Sequence, residues 1–381
     1  MKSGAGRRAA TASRGSEGAA GRARATLRPI GLFLASRLVV AFGLLVCTNV
    51  VHRPVVQLLT SWDAKWYLLI ARAGYSRALP PGTGNASQSD LGFFPLLPSL
   101  IRVVHDATRL GYAASGIVLV FVAGLGATIA LWWLLRDRYG VRGADRGTAL
   151  VVFWPGAFVL SYVYTEALLI LLVVVTLLAL RHGRWLLAGL CAGLATAADP
   201  VAVAVVVPCV IASVHAIRTR GDRRSLLAPL LAPAGVVAFF AYLWAHTGSP
   251  LEWFHAQRRG WQGGYYGTGV PKAVLSFVQH GVADMNPGVK TLSAVLAVVM
   301  VVAYLRSRAP GTWTGYVLTV LAFGVLSPII GITPRLLLRD FPLIGVVGAR
   351  LSDRRFRVVL AISAFAMAAL LVAAGTPRFT P

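Results

Sequence analysis

Between Pro29 and Ala374 the chain is a succession of apolar runs separated by polar connections, most of them short and two of them long. Eleven can be delimited: 29–51, 112–135, 148–163, 165–181, 185–199, 200–217, 226–246, 288–305, 312–331, 335–350 and 356–374. Several are shorter than the ~20 residues that cross hydrocarbon unaided, and only Asp199-Pro200 separates the fifth from the sixth. The whole chain is 57% hydrophobic and 13% charged, with mean hydropathy +0.70, where a soluble domain carries about 25% charged residues. No soluble fold hides that much apolar surface. Disorder, a disulfide scaffold and a fibrous protein are excluded on the same ground. The expectation is an all-α polytopic membrane protein with about 11 transmembrane helices.

Charge orients the spans. Lys and Arg number 37 against 13 Asp and Glu, a net charge of +24. In a soluble protein this would suggest nucleic acid as a partner, but here basic residues must first be sorted by membrane side. With the N-terminus inside, 23 of the 37 fall on the N-terminal tail and the inner loops 136–146, 181–184, 218–224, 306–308 and 350–357. Every short inner loop is then Arg-rich, as the positive-inside rule demands. Eight of the 13 acids map to the other face, so carboxylate chemistry has more candidates outside. No nucleic acid is implied.

The domain reading follows. Residues 1–28, with seven basic residues and no packable apolar pattern, are expected to be a disordered cytoplasmic tail. The run 29–51 has no small-residue cleavage site and reads as a retained span. Residues 29–375 form the transmembrane domain, with a long first outer loop at 52–111, a second at 247–287 and an outer tail at 376–381. Phe93–Arg109 reads as an interfacial helix of the first loop. Cys47, Cys191 and Cys209 sit in apolar runs, which indicates neither a disulfide framework nor a thiolate metal site. The histidines show no HExxH spacing.

Four outer stretches could carry chemistry. SWDAKWYLLIARAGY (Ser61–Tyr75) is an amphipathic interfacial helix with Trp62 on one face and Asp63 and Tyr67 on the next. A partly desolvated carboxylate there is either a general base or part of an interfacial anchor, capping the helix or pairing with Lys65 or Arg335. In PGAFVLSYVYTEALL (from Pro155), Glu166 stands at the mouth of an apolar helix beside Tyr164 and Thr165. It is either functional, as ionisable groups at membrane depth tend to be, or an acid favoured by the helix dipole. Ser249–Gly269 combines aromatic residues, among them Trp261, with Gln257, Arg258 and many glycines. Such residues stack on sugars and bind hydroxyls and phosphate, and they equally suit an aromatic interfacial loop. In TPRLLLRDFPLIG (Thr333–Gly345), Arg335 could hold a lipid phosphate, while Arg339 and Asp340 read as a self-neutralising pair. Arg37 in the first span is either paired with an acid or snorkelling.

Taken in order, WDAKWYLLIARAGY, GFFPLLPSL (Gly92–Leu100), PGAFVLSYVYTEALL, PLEWFHAQRRGW and PRLLLRDFPL resemble the PIG-V-like mannosyltransferases. That group contains eukaryotic GPI mannosyltransferase II and many actinobacterial membrane proteins. The likeness runs over residues 30–350. TAADPVAV (Thr196–Val203) departs from it, with Asp199 where an Arg is expected.

The resemblance implies a GT-C fold, a polyprenyl-phosphate mannose donor, and Asp63 as the catalytic base of an inverting transfer to an acceptor hydroxyl. Arg335, Arg258 and Lys65 are then the nearest cations for the leaving phosphate. Glu166 and Tyr164 would position hydroxyls, Gln257 would bind them, and Trp62, Tyr67 and Trp261 would line the pocket. The acceptor is a glycan, a lipid or a protein of the cell envelope, and the site faces out of the plasma membrane among its lipids. Carboxylates at the outer interface can also bind Mg²⁺ or Mn²⁺ with few protein ligands, so metal dependence stays open. A non-catalytic scaffold of the same fold and a lipid or solute transporter are the rival readings.

Overall fold

The computed structural model describes residues 4–261, 269–280, 285–327, 331–376 and 379–380, and all regular structure among them is helical. The first helix, α1, runs Gly4–Val51. The basic segment before residue 29 is thus continuous with the first span, where its composition suggested disorder; its alanines and arginines are good helix formers. On the long first connection lie α2 (Val55–Leu59), α3 (Ala64–Ala73) and α4 (Leu96–Thr108). The amphipathic α4 buries Leu97, Pro98 and Ile101 and exposes Val103.

Next comes α5, Tyr112–Val152, whose 41 residues would measure about 60 Å if straight. It is not straight. Gly140 has φ 69° and ψ −178°, and Trp132 Nε1 donates to Asp145 Oδ1 at 2.8 Å. Thirteen residues of straight helix would hold that pair about 20 Å apart. The chain therefore doubles back at Gly140, whose left-handed backbone suits only a residue without Cβ. This is the Arg-rich turn expected near 136–146.

The remaining helices are α6 (Glu166–Arg181), α7 (Trp185–Ala198), α8 (Val206–Arg220), α9 (Leu227–Leu231) and α10 (Ala234–Thr247). On the second long connection are α11 (Glu252–Gly260) and α12 (Gly269–His280). The chain ends with α13 (Met285–Leu305), α14 (Gly311–Leu326), α15 (Pro334–Arg339), α16 (Phe341–Arg350) and α17 (Asp353–Ala374).

Six of the described helices are long and apolar enough to cross a bilayer, or seven if the bent pair 155–161 and 166–181 counts as one. That does not reproduce the eleven spans read from the runs. The reason is length: α7, α14 and α16 have 14, 16 and 10 residues, and a 14-residue helix rises about 21 Å. The outer faces leave no doubt about the solvent. Phe365 is 78% exposed, Leu38 71% and Val298 66%, on three different helices, and such apolar faces require lipid. The chain is a multi-pass membrane protein.

Alternate helix ends sort into two opposite faces. One face carries the ion pairs Arg28–Asp145, Arg181–Asp137 and Arg142–Asp353, which tie the basic half of α1 and the Arg-rich turns together. The other gathers the C-terminal ends of α1, α7 and α17, the N-terminal ends of α6 and α13, and both long connections. The two connections are fastened together at Gly92, whose carbonyl accepts from Trp253 Nε1 at 3.1 Å and from Gln257 Nε2 at 2.9 Å. Asp90, 2% exposed, is tied to Ser76 N at 2.7 Å and braces the same loop.

Candidate active site

The loop between α2 and α3 aims Asp63. Trp62 is in the left-handed region at φ 55°, unusual for a residue with a large side chain. Its indole Nε1 donates to Ala374 O at 2.9 Å, satisfying one of the carbonyls left open at the end of α17. Asp63 follows at the start of α3 and makes no side-chain capping bond. Its Oδ2 instead accepts from Arg335 Nη1 at 2.7 Å, and the carboxylate stays 31% exposed. Of the two structural partners considered for Asp63, Arg335 is the one found; Lys65 is exposed and lies 5.0 Å over the Trp66 ring.

Arg335 is placed by a short capped helix. Thr333 Oγ1 accepts from Leu336 N at 3.0 Å, and Pro334 fills the first helical position. The 155–161 turn presses on this helix: Trp154 Nε1 donates to Pro334 O at 2.9 Å, and a Cβ on Gly156 would sit 2.4 Å from the same oxygen. One turn later on the same face comes Arg339.

Both arginines converge on Glu166, the first residue of α6, which is fully buried. Glu166 Oε1 accepts from Arg335 Nε, from Arg339 Nη2 at 2.7 Å and from Arg339 Nε at 3.1 Å. Arg339 reaches on to Asp199 Oδ2 at 3.0 Å. Asp199 is 3% exposed and is itself anchored, accepting from Thr165 Oγ1 at 3.0 Å and Val201 N at 2.9 Å. The Arg335 guanidinium stacks 4.4 Å over the Tyr164 ring. The result is a buried chain of ion pairs, Asp63–Arg335–Glu166–Arg339–Asp199. Three carboxylates face two guanidiniums, a formal charge of −1 when all are ionised.

This network corrects two expectations. Arg339 does not neutralise Asp340: it pairs with Glu166 and Asp199, and both Asp340 carboxylate oxygens are buried without a hydrogen-bond partner at the α15–α16 break. Arg37 neither pairs with an acid nor snorkels. It donates to Ser161 Oγ at 2.7 Å and Ala157 O at 3.2 Å, clamping α1 to the 155–161 turn.

The remaining candidates lie around the chain of pairs. Tyr67 is buried beside Phe93, ring centroids 5.2 Å apart, and Phe93 in turn meets Trp261 at 5.6 Å. Burial, with the carboxylates of Asp63 and Asp199 nearby, pushes the Tyr67 phenol well above its usual value, so it remains a proton donor at neutral pH. Gln257 holds Gly92, as described, and Arg258 is exposed on α11. Residues 262–268 of the glycine-rich loop lie outside the described residues. Asp199 and Arg339 were not singled out as site residues by sequence reasoning; the signal available was the Arg335/Arg339 spacing of four and an acid closing an apolar run.

Arg335 also forms part of the wall of a pocket beside the network. Phe158, Val289 and Leu370 supply apolar lining, and Lys290, Thr333 and Thr380 supply polar groups. Its volume is about 20 Å³, room for about one water. Among the described residues no three His, Cys, Asp or Glu side chains converge as metal ligands.

No protein-family model matches the chain, and no curated protein matches it in sequence. Solved structures with a similar fold include ArnT from Cupriavidus metallidurans bound to undecaprenyl phosphate, 17% identical, with a TM-score of 0.52 over 90% of this chain and 65% of that one. The apo state of the same protein is 16% identical, with a TM-score of 0.50 over 83% of this chain and 59% of that one. The chain thus spans just under two thirds of ArnT's length. At this identity the likeness is one of fold. This chain shares the all-helical, multi-span fold of ArnT.

Proposed function

We propose that the protein is a membrane glycosyltransferase that moves mannose from polyprenyl-phosphate mannose to an acceptor hydroxyl, on the outer face of the plasma membrane, with inversion. The observation that carries this reading is the junction of Asp63 with Arg335. A part-exposed carboxylate from the first long connection meets a guanidinium that also lines an apolar, Lys290-bearing pocket. Base and leaving-group cation thus stand side by side. The GT-C-type fold supports a lipid-linked donor, and the PIG-V-like motifs support mannose.

In the reaction, an acceptor O–H is oriented at Asp63 and gives its proton to the carboxylate. The acceptor oxygen attacks the anomeric carbon from the face opposite the phosphate. The bond from that carbon to the phosphate oxygen breaks, and its electron pair leaves with the polyprenyl phosphate. An ionised phosphate departs without an acid, so one carboxylate suffices, unlike hydrolysis of a glycosidic bond. Arg335 and Lys290 offset the charge that grows on the leaving oxygen. Glu166 and Asp199, being buried, act on the arginines and not on the sugar. Tyr67 and Trp261 furnish the aromatic wall near Asp63.

The donor class is tested by offering purified protein in nanodiscs three labelled compounds with an envelope-lipid acceptor extract: polyprenyl-phosphate mannose, polyprenyl-phosphate glucose and a nucleotide-linked mannose. Transfer from the first alone is expected. Transfer from the nucleotide sugar would overturn the lipid-donor reading, and transfer from the glucose lipid would overturn mannose.

A further inference from the structure

On the Arg-rich face several arginines are already engaged. Arg28 holds Asp145, Arg142 and Arg146 hold Asp353, and Arg181 holds Asp137. The end of α8 is different. His215 and Arg218 stand one turn apart on its exposed side. Among the described residues neither forms an ion pair. The acid nearest in sequence, Asp222, accepts from Trp185 Nε1 at 2.7 Å and from Arg224 N at 3.1 Å. Its carboxylate is thus spent on fastening the turn.

The same side of α8 continues away from the turn as Val210, Ile211 and Val214, all exposed. With His215, Arg218 and Thr219 they wall an open groove of about 420 Å³, the size of a ligand cleft. Helix α14 passes beside it, since a methyl on Gly315 would come within 2.6 Å of Ile211 Cδ1. Arg218 lies about 6 Å further along the helix axis than Val214 and about 12 Å beyond Val210. Apolar wall and cations therefore follow one another as chain and phosphate do in a phospholipid. The helix dipole alone would account for cations in the last turn, but not for the open apolar groove that leads up to them.

Charge decides among occupants. Residues 215–224 hold four arginines and His215 against Asp222 alone. A second copy of the chain, meeting this surface with the same surface, would set like charges together. A zwitterionic lipid brings a cation of its own. We propose that the groove binds one phospholipid of net negative charge, its chain along Val210, Ile211 and Val214 and its phosphate at His215 and Arg218. Basic pockets between membrane helices hold anionic heads in this way. Arg218 is about 18 Å of helix rise from Val206, where α8 begins on the Asp199 side, so the site is apart from the ion-pair network.

The test is a titration of the full chain, delipidated in detergent, with phosphatidylglycerol and with phosphatidylcholine of the same chains, bound lipid being counted by native mass spectrometry. Phosphatidylglycerol is expected to bind at one site per chain, at least about tenfold more tightly. Arg218→Gln should lose about fivefold of that affinity, the effect of one basic residue at an anionic head, and leave phosphatidylcholine unchanged. Val214→Trp, which fills the groove, should weaken both lipids. Arg355→Gln, in the first turn of α17 on the same face, should change neither. Arg218 is exposed, so its variant keeps the fold and carries the test even if Val214→Trp does not.

Equal affinity for the two lipids overturns the proposal. So does a loss in Arg355→Gln as large as that in Arg218→Gln, which would spread the preference over the whole basic face. Displacement of the lipid by inorganic phosphate would leave an ion site without a groove. A lipid-independent dimer abolished by Val214→Trp would give the groove to a second copy, and either result overturns the phospholipid as occupant.

Discussion

Single side chains in the ion-pair chain are worth unequal amounts, and the inequality follows from counting charges. Removing Arg339 as Gln leaves three carboxylates facing one guanidinium; removing the charge of Glu166 as Gln leaves two facing two. Breaking a buried pair from one side costs about 3–5 kcal/mol because it strands the partner. Arg339→Gln should lose about that much. Glu166→Gln, which restores balance and keeps an acceptor oxygen, should lose about 1–2 kcal/mol. Denaturant unfolding of both variants in detergent checks the order, and a Glu166→Gln loss as large as that of Arg339→Gln would contradict it. At this scale the sequence is only partly legible. Asp63 stands out on an amphipathic interfacial helix, and Glu166 and Arg335 because each marks the edge of an apolar run. Arg339 does not, since it reads as pairing with Asp340, and Asp199 is legible only as a departure from the family motif, where an Arg is expected, with no sign of the charge it meets. Which charges meet is set by how α7 and α15 pack, and no local pattern carries that.

Among elements, the 155–161 turn controls the site more than any long helix does. It touches α15 so closely that a methyl at Gly156 would overlap Pro334 O at 2.4 Å and Arg335 N at 2.8 Å. Backbone on both sides must move, and Arg335 moves with it. Gly156→Ala should therefore cut transfer at least tenfold, since displacements near 1 Å cost about 100-fold in well-oriented reactions. Gly43 in α1 is the control: a methyl there meets Leu371 Cδ2 at 3.4 Å, ordinary contact, and Gly43→Ala should leave transfer unchanged and favour the helix by up to about 1 kcal/mol. Initial rates of both variants, measured at matched folded protein, decide the matter; equal rates would remove the turn from the account. Helix positions were readable from apolar runs bounded by Arg, Pro and Gly. The crossing count was not, because α7, α14 and α16 are apolar yet too short to span, and run length does not tell a crossing from a buried helix. The doubling of α5 at Gly140 was readable, from the Arg-rich segment that interrupts it.

For the whole molecule, the central separation is between an Arg-rich face tied by ion pairs and an opposite face that carries both long connections and the buried network. The orientation we propose from the positive-inside bias has the first face in the cytoplasm and the second outside. In a background with Cys191 replaced by Ser, Thr83→Cys on the first long connection should react with a membrane-impermeant maleimide in intact cells. Thr219→Cys near the Arg-rich turn should react only after permeabilisation. The reverse pattern would put the site on the cytoplasmic side and remove the outer-face assignment.

The central claim is that Asp63 is the base of a sugar transfer from a lipid phosphate, and one comparison addresses it directly. Wild type and Asp63→Asn are reconstituted in nanodiscs with radiolabelled polyprenyl-phosphate mannose and an envelope-lipid extract, and label is followed into new product. The account predicts transfer by wild type and a loss of at least about 1,000-fold in Asp63→Asn, as proton removal and its positioning are lost together, with the variant still folded and still binding the lipid phosphate. Transfer by Asp63→Asn at near wild-type rate would contradict the account outright.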